Sequence, residues 1–446
     1  MIGKERIREI LERALKSSAA DATSCTVILE DSALTRFAGG QIHQNVAEES
    51  VKAHVKAILG KRSGSASASS IDEDSINGAV SRAIENARQS PELRDMVELP
   101  GPQDYPPVET YDAATGECTP KGRALAVRAA VREVESRGVE AYGSVETSAQ
   151  EAAVANSRGL FAYAPLSGCG AVVATIGREA YGSSGASSRN MGDIDFAALG
   201  VEAAERCLAA RNPASIPAGR YDVILLEYAV ADIIRFLCSL GFGPTAYREG
   251  RSFMTGKIGQ KVMGDNITIW DDGLDTGGMP LPFDTEGVPK KRVALITKGV
   301  AAGVVYDTAE ALKAGTSSTG HAFPYGAFIG GAMPTNAFLK PGPATVDEMI
   351  ASTDHGLLVT RFHYTRAVDP RRVVITGMTR DGTFLIRDGK IAGAVKNLRF
   401  TESYVEAMSR VEAISARTKI QGGRIGAAVV PALKITNFNF TGVTEF

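Results

Sequence analysis

The stretch Leu225-Leu226-Glu227-Tyr228-Ala229-Val230-Ala231-Asp232 opens the second half of the chain. The apolar run over 221–226 predicts a short strand, and apolar residues at helical spacing predict a helix over 228–240. The preceding residues 212–219 are rich in proline and small side chains, which is typical of a linker. We therefore predict a domain boundary here, with an N-terminal domain at 1–218 and a C-terminal domain at 219–446.

The first half of the chain contains a helix-plus-sheet pattern twice. Period-two alternation predicts antiparallel strands between 25 and 68, with a turn at Gly39-Gly40, and again between 140 and 184. Apolar residues at helical spacing predict four helices. These cover 4–16, 70–89, 120–136 and 196–210.

After Gly241 the chain is rich in glycine and β-forming residues. The predicted strands cover 261–270, 293–298, 300–306, 356–366, 372–380, 382–387 and 390–396. Asp381-Gly382 and Asp388-Gly389 predict hairpin turns, and 404–417 predicts a late helix. The predicted fold class is α+β, with an N-terminal helix-plus-sheet domain and a C-terminal antiparallel β-rich domain of barrel or sandwich type.

Composition places the chain among ordinary globular proteins. It has 446 residues, of which 44% are hydrophobic and 22% charged, and its formal net charge of −2 gives no electrostatic reason to expect a nucleic-acid partner. No stretch approaches the roughly 20 uncharged apolar residues of a membrane span. The start of the chain lacks a signal-peptide core, and the five cysteines are scattered. We therefore predict a cytoplasmic protein with reduced thiols.

Several strings in the second half occur together in a characteristic order. They are 282–287 (Pro-Phe-Asp-Thr-Glu-Gly), Thr319-Gly320-His321, 333–336 (Met-Pro-Thr-Asn), 380–386 and 433–435. In their order and spacing the chain resembles the TldD/PmbA family, also called modulators of DNA gyrase. The resemblance suggests that Thr319, Gly320, His321, Thr335 and Asn336 line a groove.

The resemblance also implies a site that this chain has lost. In the active branch of the family the strand runs into His-Glu-x-x-x-His, whose histidines hold zinc and whose glutamate is the general base. The matching positions here are Glu227, Tyr228 and Asp232. The family's third ligand, a cysteine in the segment that corresponds to 422–429, is also missing. The chain is similar to the TldE (PmbA) branch, so we expect no catalytic residue and no metal in this chain, with zinc in a partner subunit.

The residues at these positions have an ordinary structural interpretation. Glu227 lies at the predicted helix start, where negative charge is favoured. Asp232 can pair with Arg235 on the solvated face, while Val230, Ile233, Ile234 and Leu237 form the buried stripe. A regular helix separates residues five apart by about 140°, so Glu227 and Asp232 do not converge on one ion. The histidines outside the loop at 319–321 are isolated in sequence; these are His43, His54, His355 and His363.

The favoured hypothesis is a noncatalytic subunit of a heterodimeric TldD/TldE-type zinc metallopeptidase. The resemblance implies that a TldD-like partner performs the hydrolysis of unfolded peptides, while this chain stabilises the partner and completes a substrate chamber. One alternative is a stand-alone metallopeptidase that uses Glu227 and Asp232 as carboxylate ligands. Another is a homodimeric peptide-binding protein.

Overall fold

The computed structural model describes residues 1–177, 180–323, 331–423 and 426–444. The helices are α1 (Lys4–Ser17), α2 (Glu73–Gln89), α3 (Ala113–Gly116), α4 (Pro120–Glu135), α5 (Phe196–Ala209), α6 (Glu227–Leu240), α7 (Pro244–Arg248), α8 (Thr308–Lys313), α9 (Val346–Ala351) and α10 (Tyr404–Met408). The strands of the first half are β1 (Ala22–Ala38), β2 (Gln41–Leu59), β3 (Arg62–Ala68), β4 (Glu140–Asn156), β5 (Phe161–Gly177) and β6 (Ala180–Ser188). Those of the second half are β7 (Gly219–Leu225), β8 (Ile269–Asp271), β9 (Val293–Thr297), β10 (Val300–Ala301), β11 (Asn336–Leu339), β12 (His355–Asp369), β13 (Val374–Arg387), β14 (Lys390–Ala394), β15 (Leu398–Ser403), β16 (Val411–Gly423) and β17 (Gly426–Val443).

The first six strands form one antiparallel sheet in the order β3-β2-β1-β4-β5-β6. The two helix-plus-sheet patterns of the sequence therefore share one sheet. They are joined because β1 pairs with β4 from Ser24↔Asn156 to Phe37↔Gly143. The Gly39-Gly40 turn forms as predicted, with φ of 54° and 74°. The long β1–β2 hairpin and the β4–β5 hairpin lie side by side in this sheet.

The four predicted helices of the first half are present, and they cover one face of the sheet. Helices α1 and α2 pack on Val27 and Val55, and α4 and α5 pack on Val145 and Val173. Because side chains alternate along a strand, the odd-numbered residues of β1, β4 and β5 form this core. The even-numbered residues form the opposite face.

The second sheet contains eleven strands and closes part of its path on itself. Its order is β10-β9-β8-β11-β17-β15-β13-β12-β7, and β7 pairs back onto β17. The ring β17-β15-β13-β12-β7 gives the domain its barrel-like character. Most pairs are antiparallel, but β7–β12 and β11–β17 are parallel. The α+β class and the predicted β-rich, barrel-like C-terminal domain are confirmed; its sheet is mostly antiparallel and includes these two parallel pairs.

Helix α6 packs against this second sheet. Its predicted apolar stripe is confirmed, since Val230, Ile233, Ile234 and Leu237 are all 0% exposed. They belong to the large apolar cluster of the second half. None of the helices among the described residues is both long enough and apolar enough to cross a membrane.

Three strand and helix predictions for the second half were wrong. The strand over 261–270 is reduced to Ile269–Asp271, after a turn in which the Asn266 side chain donates to Val411 O at 2.8 Å. The strand over 300–306 is reduced to Val300–Ala301. The late helix over 404–417 ends at Met408, and the chain continues as β16 because pairing with β17 overrides local helix propensity.

The two predicted hairpin turns have different outcomes. Asp388-Gly389 joins β13 to β14 with φ of 49° and 72°, as the turn chemistry predicts. Asp381-Gly382 is not a turn. Strand β13 continues through it, with Arg361↔Arg380 on one side and Val359↔Thr383 on the other. Two residues there oppose one, which is a β-bulge.

Candidate functional site

The strand-to-helix junction places Glu227 as the first residue of α6. The backbone N–H of Leu226 donates to Val359 O at 3.0 Å, so β12 holds the junction in place. Glu227 is buried, with 5% exposure, and the helix N-terminus favours its negative charge. In the described part of the chain, its carboxylate has no hydrogen-bond or ion-pair partner.

Tyr228 is the residue that the sequence resemblance matches to the family's general base, and its hydroxyl is surrounded by protein partners. The Lys419 ammonium donates to it at 2.9 Å and the Gly185 N–H at 3.1 Å. Gly185 O and Glu202 Oε1, each at 3.2 Å, are the acceptors for its single proton. Tyr228 therefore ties α6 to α5, β6 and β16.

Two cations lie beside the Tyr228 ring. Lys419 Nζ is 4.7 Å and the Arg206 guanidinium carbon 5.2 Å from the ring centroid. Both cations also pair with Glu202, Lys419 at 2.7 Å and Arg206 at 2.5 Å. Burial acts to raise the pKa of Glu202, but the charges of Arg206 and Lys419 outweigh it and lower that pKa. The cluster is a compact set of charges with its hydrogen bonds satisfied.

Asp232 is also engaged by its neighbours. The predicted pair with Arg235 is present at 2.6 Å. Thr365 Oγ1 donates to the same carboxylate at 3.1 Å and Tyr404 Oη at 3.0 Å. The prediction of a solvated face is wrong for Asp232, whose side chain is only 15% exposed. Burial and the nearby Asp232 raise the pKa of Tyr404 well above its ordinary value, so its phenol remains a donor.

These residues do not fit a zinc ion. A catalytic zinc needs about three N, S or O ligands in convergent geometry. Asp232 is already bound by three donors, and α6 is a regular α-helix from Glu227 onward. A metal ion at Tyr228 would also be repelled by Lys419 and Arg206. Among residues 1–177, 180–323, 331–423 and 426–444 there is no group of three His, Cys, Asp or Glu side chains that could hold a metal.

Of the segment 422–429, residues 422–423 end β16 and residues 426–429 begin β17. Gly422 N donates to Ser187 Oγ at 3.4 Å, which brings this segment against β6 of the first sheet. Arg424 and Ile425 lie outside the described residues.

The groove predicted at Thr319, Gly320, His321, Thr335 and Asn336 is not open at its centre. His321 is 0% and Asn336 1% exposed, and Gly320 is also buried. His321 Nε2 lies 2.7 Å from Asp271 Oδ1, and Asp271 Oδ2 accepts from the N–H groups of Thr335 and Asn336, each at 2.7 Å. Through Asp271, these bonds hold the loop around 321 against the loop around 335. The buried side chains of His321 and Asn336 do not line an open groove in this structure. Thr319 and Thr335 are half-buried.

The arrangement of Thr319, His321 and Asp271 has the connectivity of a nucleophile–histidine–carboxylate set. His321 Nδ1 is 2.9 Å from Thr319 Oγ1 but also 2.8 Å from Thr319 O. Thr319 Oγ1 in turn accepts from Tyr306 N at 2.8 Å. The imidazole is fully buried and the hydroxyl is held by backbone groups, so among the described residues these side chains fix the loops to each other.

Sequence reasoning missed a buried lysine in the same region. Lys290 is 4% exposed, and its ammonium donates to Thr335 Oγ1 at 2.7 Å. Burial lowers the pKa of Lys290, against the opposing charges of Asp271 and Asp284. Nothing in the local sequence around Lys290 indicated this position, because its partners come from distant loops.

Asp284 and His321 also belong to this buried network. Burial, with the nearby Glu286, raises the pKa of Asp284 to about 7. Asp284 accepts three backbone N–H groups, from Glu286 at 2.9 Å, Val288 at 3.0 Å and Ala322 at 2.8 Å. Burial and the charge of Lys290 lower the pKa of His321. The network fixes the loops around 284 and 321 to each other.

Comparison with known proteins places this geometry in a family. The PmbA/TldA metallopeptidase C-terminal domain matches residues 218–442, its domain 1 matches 30–87 and its central domain 109–211. A metalloprotease TldD homolog from Haemophilus influenzae is 28% identical over 268 residues, which are 56% of this chain and 54% of the relative. A metalloprotease from Methanothermobacter thermautotrophicus is 25% identical over 235 residues, 52% of this chain and 51% of the relative.

The chain thus spans about half the length of these curated relatives. The crystal structure of TldE from Thermococcus kodakarensis has the same fold, with a TM-score of 0.87 at 19% identity over 98% of this chain and 99% of that one. The chain therefore belongs to the PmbA/TldD family of metallopeptidases.

Proposed function

We propose that this chain is the noncatalytic, TldE-like subunit of a heterodimeric zinc metallopeptidase. A TldD-like partner supplies the zinc, the general base and the hydrolytic water. This chain stabilises the partner and encloses the substrate chamber in the cytoplasm. The substrates are unfolded peptides, which main-chain hydrogen bonding to a strand can hold without regard to sequence.

The observation that carries the proposal is the hydrogen bonding of the Tyr228 hydroxyl. The residue at the base position accepts hydrogen bonds from a cation and a backbone amide, and it donates to an acceptor that is already in place. A phenol held in this way has no free lone pair directed at a water molecule. Asp232 is similarly occupied by Arg235, Thr365 and Tyr404.

The cluster that replaces the site also supports a structural role. Lys419, Glu202 and Tyr228 join elements of both sheets through charge-assisted hydrogen bonds. Such bonds are stronger than neutral ones. They hold the two halves of the chain in a fixed relation, which a subunit that forms one wall of a chamber requires.

The test is co-expression of this chain with a TldD-like chain that has an intact His-Glu-x-x-x-His. We expect one complex on size-exclusion chromatography, with zinc in proportion to the partner and cleavage of an unstructured peptide only by the complex. Glu227→Gln in this chain removes the one carboxylate of the degenerate site that has no hydrogen bond, and it should leave the zinc content unchanged. Tightly bound zinc and peptide turnover in this chain alone, both lost in Glu227→Gln, would instead establish a stand-alone metallopeptidase.

A further inference from the structure

One face of strands β12, β13 and β15 carries a cluster of cations. The opposite face is buried in the core, where Phe362, Thr379 and Phe400, one from each strand, are at most 7% exposed. Because side chains alternate along a strand, the neighbouring residues lie on the other side of the sheet. Four arginines and a histidine occupy that side and form what we name the basic face: Arg361, His363, Arg366, Arg380 and Arg399.

The strand register brings these residues side by side. Arg361 lies directly opposite Arg380 in the β12–β13 pair, and Met378 pairs with His363 on one side and with Arg399 on the other. Adjacent strands are about 4.8 Å apart. Like charges directly opposite each other are destabilising, so the Arg361–Arg380 pair needs a counter-charge between its guanidinium groups.

The basic face contains more cations than the chain balances with carboxylates. Asp381 accepts from Arg361 Nε at 2.5 Å and lies 3.6 Å from Arg380 Nε, so one carboxylate serves two guanidinium groups. Arg366 and Arg399 are exposed, and neither forms an ion pair with any residue that the structure describes. A surplus of positive charge therefore remains on this face.

His363 is affected by this surplus. Burial and the charges of Arg380 and Arg361 lower the pKa of His363, and the carboxylate of Asp381 opposes them. The arginines thus disfavour a further cation even with Asp381 in place. The chain as a whole has a formal net charge of −2, so the basic face has the opposite sign to the molecule.

Two β-bulges flank the central part of the basic face. Asp381 and Gly382 together oppose one residue of β12, and Tyr364 and Thr365 together oppose one residue of β13. Asp381 and Tyr364 have φ of 57° and 51°, which few side chains adopt. Tyr364 is 66% exposed, and its ring centroid is 4.5 Å from that of His363. Bulges of this kind occur beside binding sites, where they redirect side chains.

We propose that the basic face binds the carboxylate groups of an acidic, unstructured peptide. The planar fork of a guanidinium group matches a carboxylate, and Asp381 already fills such a position within the chain. Alternate side chains of an extended peptide lie about 6.8 Å apart on one side. The same spacing separates cations two residues apart on β12, such as Arg361 and His363, so successive acidic side chains can each meet a cation.

The ligand is a peptide and not a nucleic acid. Nucleic-acid-binding domains usually carry a large net positive charge, whereas this chain is slightly acidic. In taking the ligand to be an unfolded peptide we rely on the proposed function, and the basic face then selects acidic segments among such peptides. The surplus of positive charge is a property of this chain alone.

The test is fluorescence anisotropy with the full-length chain and a labelled peptide in which glutamate alternates with serine. We expect it to bind at least tenfold more tightly than the same peptide with glutamine in place of glutamate, and to weaken as salt is added. Arg366→Gln combined with Arg399→Gln removes two cations without breaking an ion pair among the described residues. This double variant should weaken binding of the acidic peptide by about tenfold.

Asp381→Asn is the sharper variant, because it should tighten binding of the acidic peptide. The substitution removes the counter-charge of Arg361 and Arg380, and asparagine tolerates a positive φ. A residue with only a structural role would not increase affinity when replaced. The matched control is Arg387→Gln, an exposed arginine at the far end of β13, which should bind the peptide as the wild type does.

Equal affinity for the glutamate and glutamine peptides would overturn the proposal. Unchanged binding in the Arg366 and Arg399 double variant, with a native circular dichroism spectrum, would overturn it as well. Tighter binding of a single-stranded oligonucleotide of equal charge would assign the face to nucleic acid instead. Because the chain is measured without a partner, these results do not depend on whether it forms a complex with a TldD-like chain.

Discussion

His321, which the sequence suggested as a groove-lining residue, is buried in the fold. Its Nε2 meets a carboxylate 2.7 Å away, and its ring is fully buried. Burial and the charge of Lys290 lower its pKa, whereas Asp271 acts to raise it. We infer that His321 is neutral, because burial and the neighbouring charge of Lys290 both disfavour the protonated ring.

The pH dependence of stability should therefore depend on His321. Below its unfolded pKa of 6.5 the unfolded chain binds a proton that the folded chain does not bind. This contribution to stability is then lost on acidification, by up to about 1.4 kcal/mol per pH unit. His321→Gln lacks this term, so the stability difference between wild type and variant should shrink as the pH falls from about 7 toward 5.

Urea unfolding of both proteins across this pH range measures the difference. Asp284 titrates in the same window but is common to both chains, so it cancels in the comparison. A difference that grows on acidification would mean that His321 is protonated in the folded chain and forms an ion pair with Asp271.

At the scale of an element, strand β13 contains a bulge that the local sequence did not predict. Asp381 and Gly382 have φ of 57° and 118°, and they form a bulge where local sequence predicts a turn. Pairing with β12 continues on both sides, so tertiary contacts decide between turn and bulge. The bulge brings Asp381 to Arg361, which donates to it at 2.5 Å.

Gly382→Ala should destabilise the protein. A Cβ at this position would lie 2.8 Å from the Phe384 ring and 2.9 Å from Thr360 Oγ1, and the backbone has a positive φ. We expect a loss of about 1–3 kcal/mol in the free energy of unfolding, measured with urea. Gly442→Ala is the control, since its Cβ would meet only Arg399 Cβ at 3.9 Å. Equal stability of the two variants would show that the bulge tolerates a side chain.

At the scale of the whole molecule, a loop of the second half packs on the face of the first sheet that the helices leave uncovered. Phe283 packs with Val154, Leu160, Ala162 and Ala164 of the β4–β5 hairpin. Two hydrogen bonds support this contact, from Thr26 Oγ1 to Thr285 O at 2.9 Å and from Tyr105 Oη to Gly287 O at 2.7 Å. This contact and the Tyr228 cluster both join the first sheet to the second half of the chain. We therefore expect the stability of each sheet to depend on the other.

Unfolding of the two halves should therefore be coupled through Phe283. The single tryptophan, Trp270, reports on the second sheet, and far-ultraviolet circular dichroism reports on both. We expect coincident urea transitions in the wild type. Phe283→Ala should cost about 3–5 kcal/mol and separate the two transitions.

Phe400→Ala is the control for this change. Phe400 is 0% exposed within the core of the second half, so the variant should lower stability while the transitions remain coincident. Coincident transitions in Phe283→Ala would show that the coupling lies elsewhere.

Much of this protein is determined by local sequence. Alternation and helical spacing predict the helices of the first half and the buried stripe of α6, and Asp388-Gly389 specifies its hairpin. The absence of imidazoles at 227 and 232 can also be read directly from the chain. These features depend on residues close to one another, where backbone geometry and side-chain type suffice.

The tertiary structure decided the rest, because the deciding contacts join distant residues. Tyr228 and Lys419 are 191 positions apart, and His321 and Asp271 are 50 apart. No local pattern states that β1 pairs with β4, that β7 returns to β17, or that Lys290 is buried beside Thr335. The free energy of burying a charge or closing a sheet depends on what surrounds it, and only the folded chain brings those surroundings together.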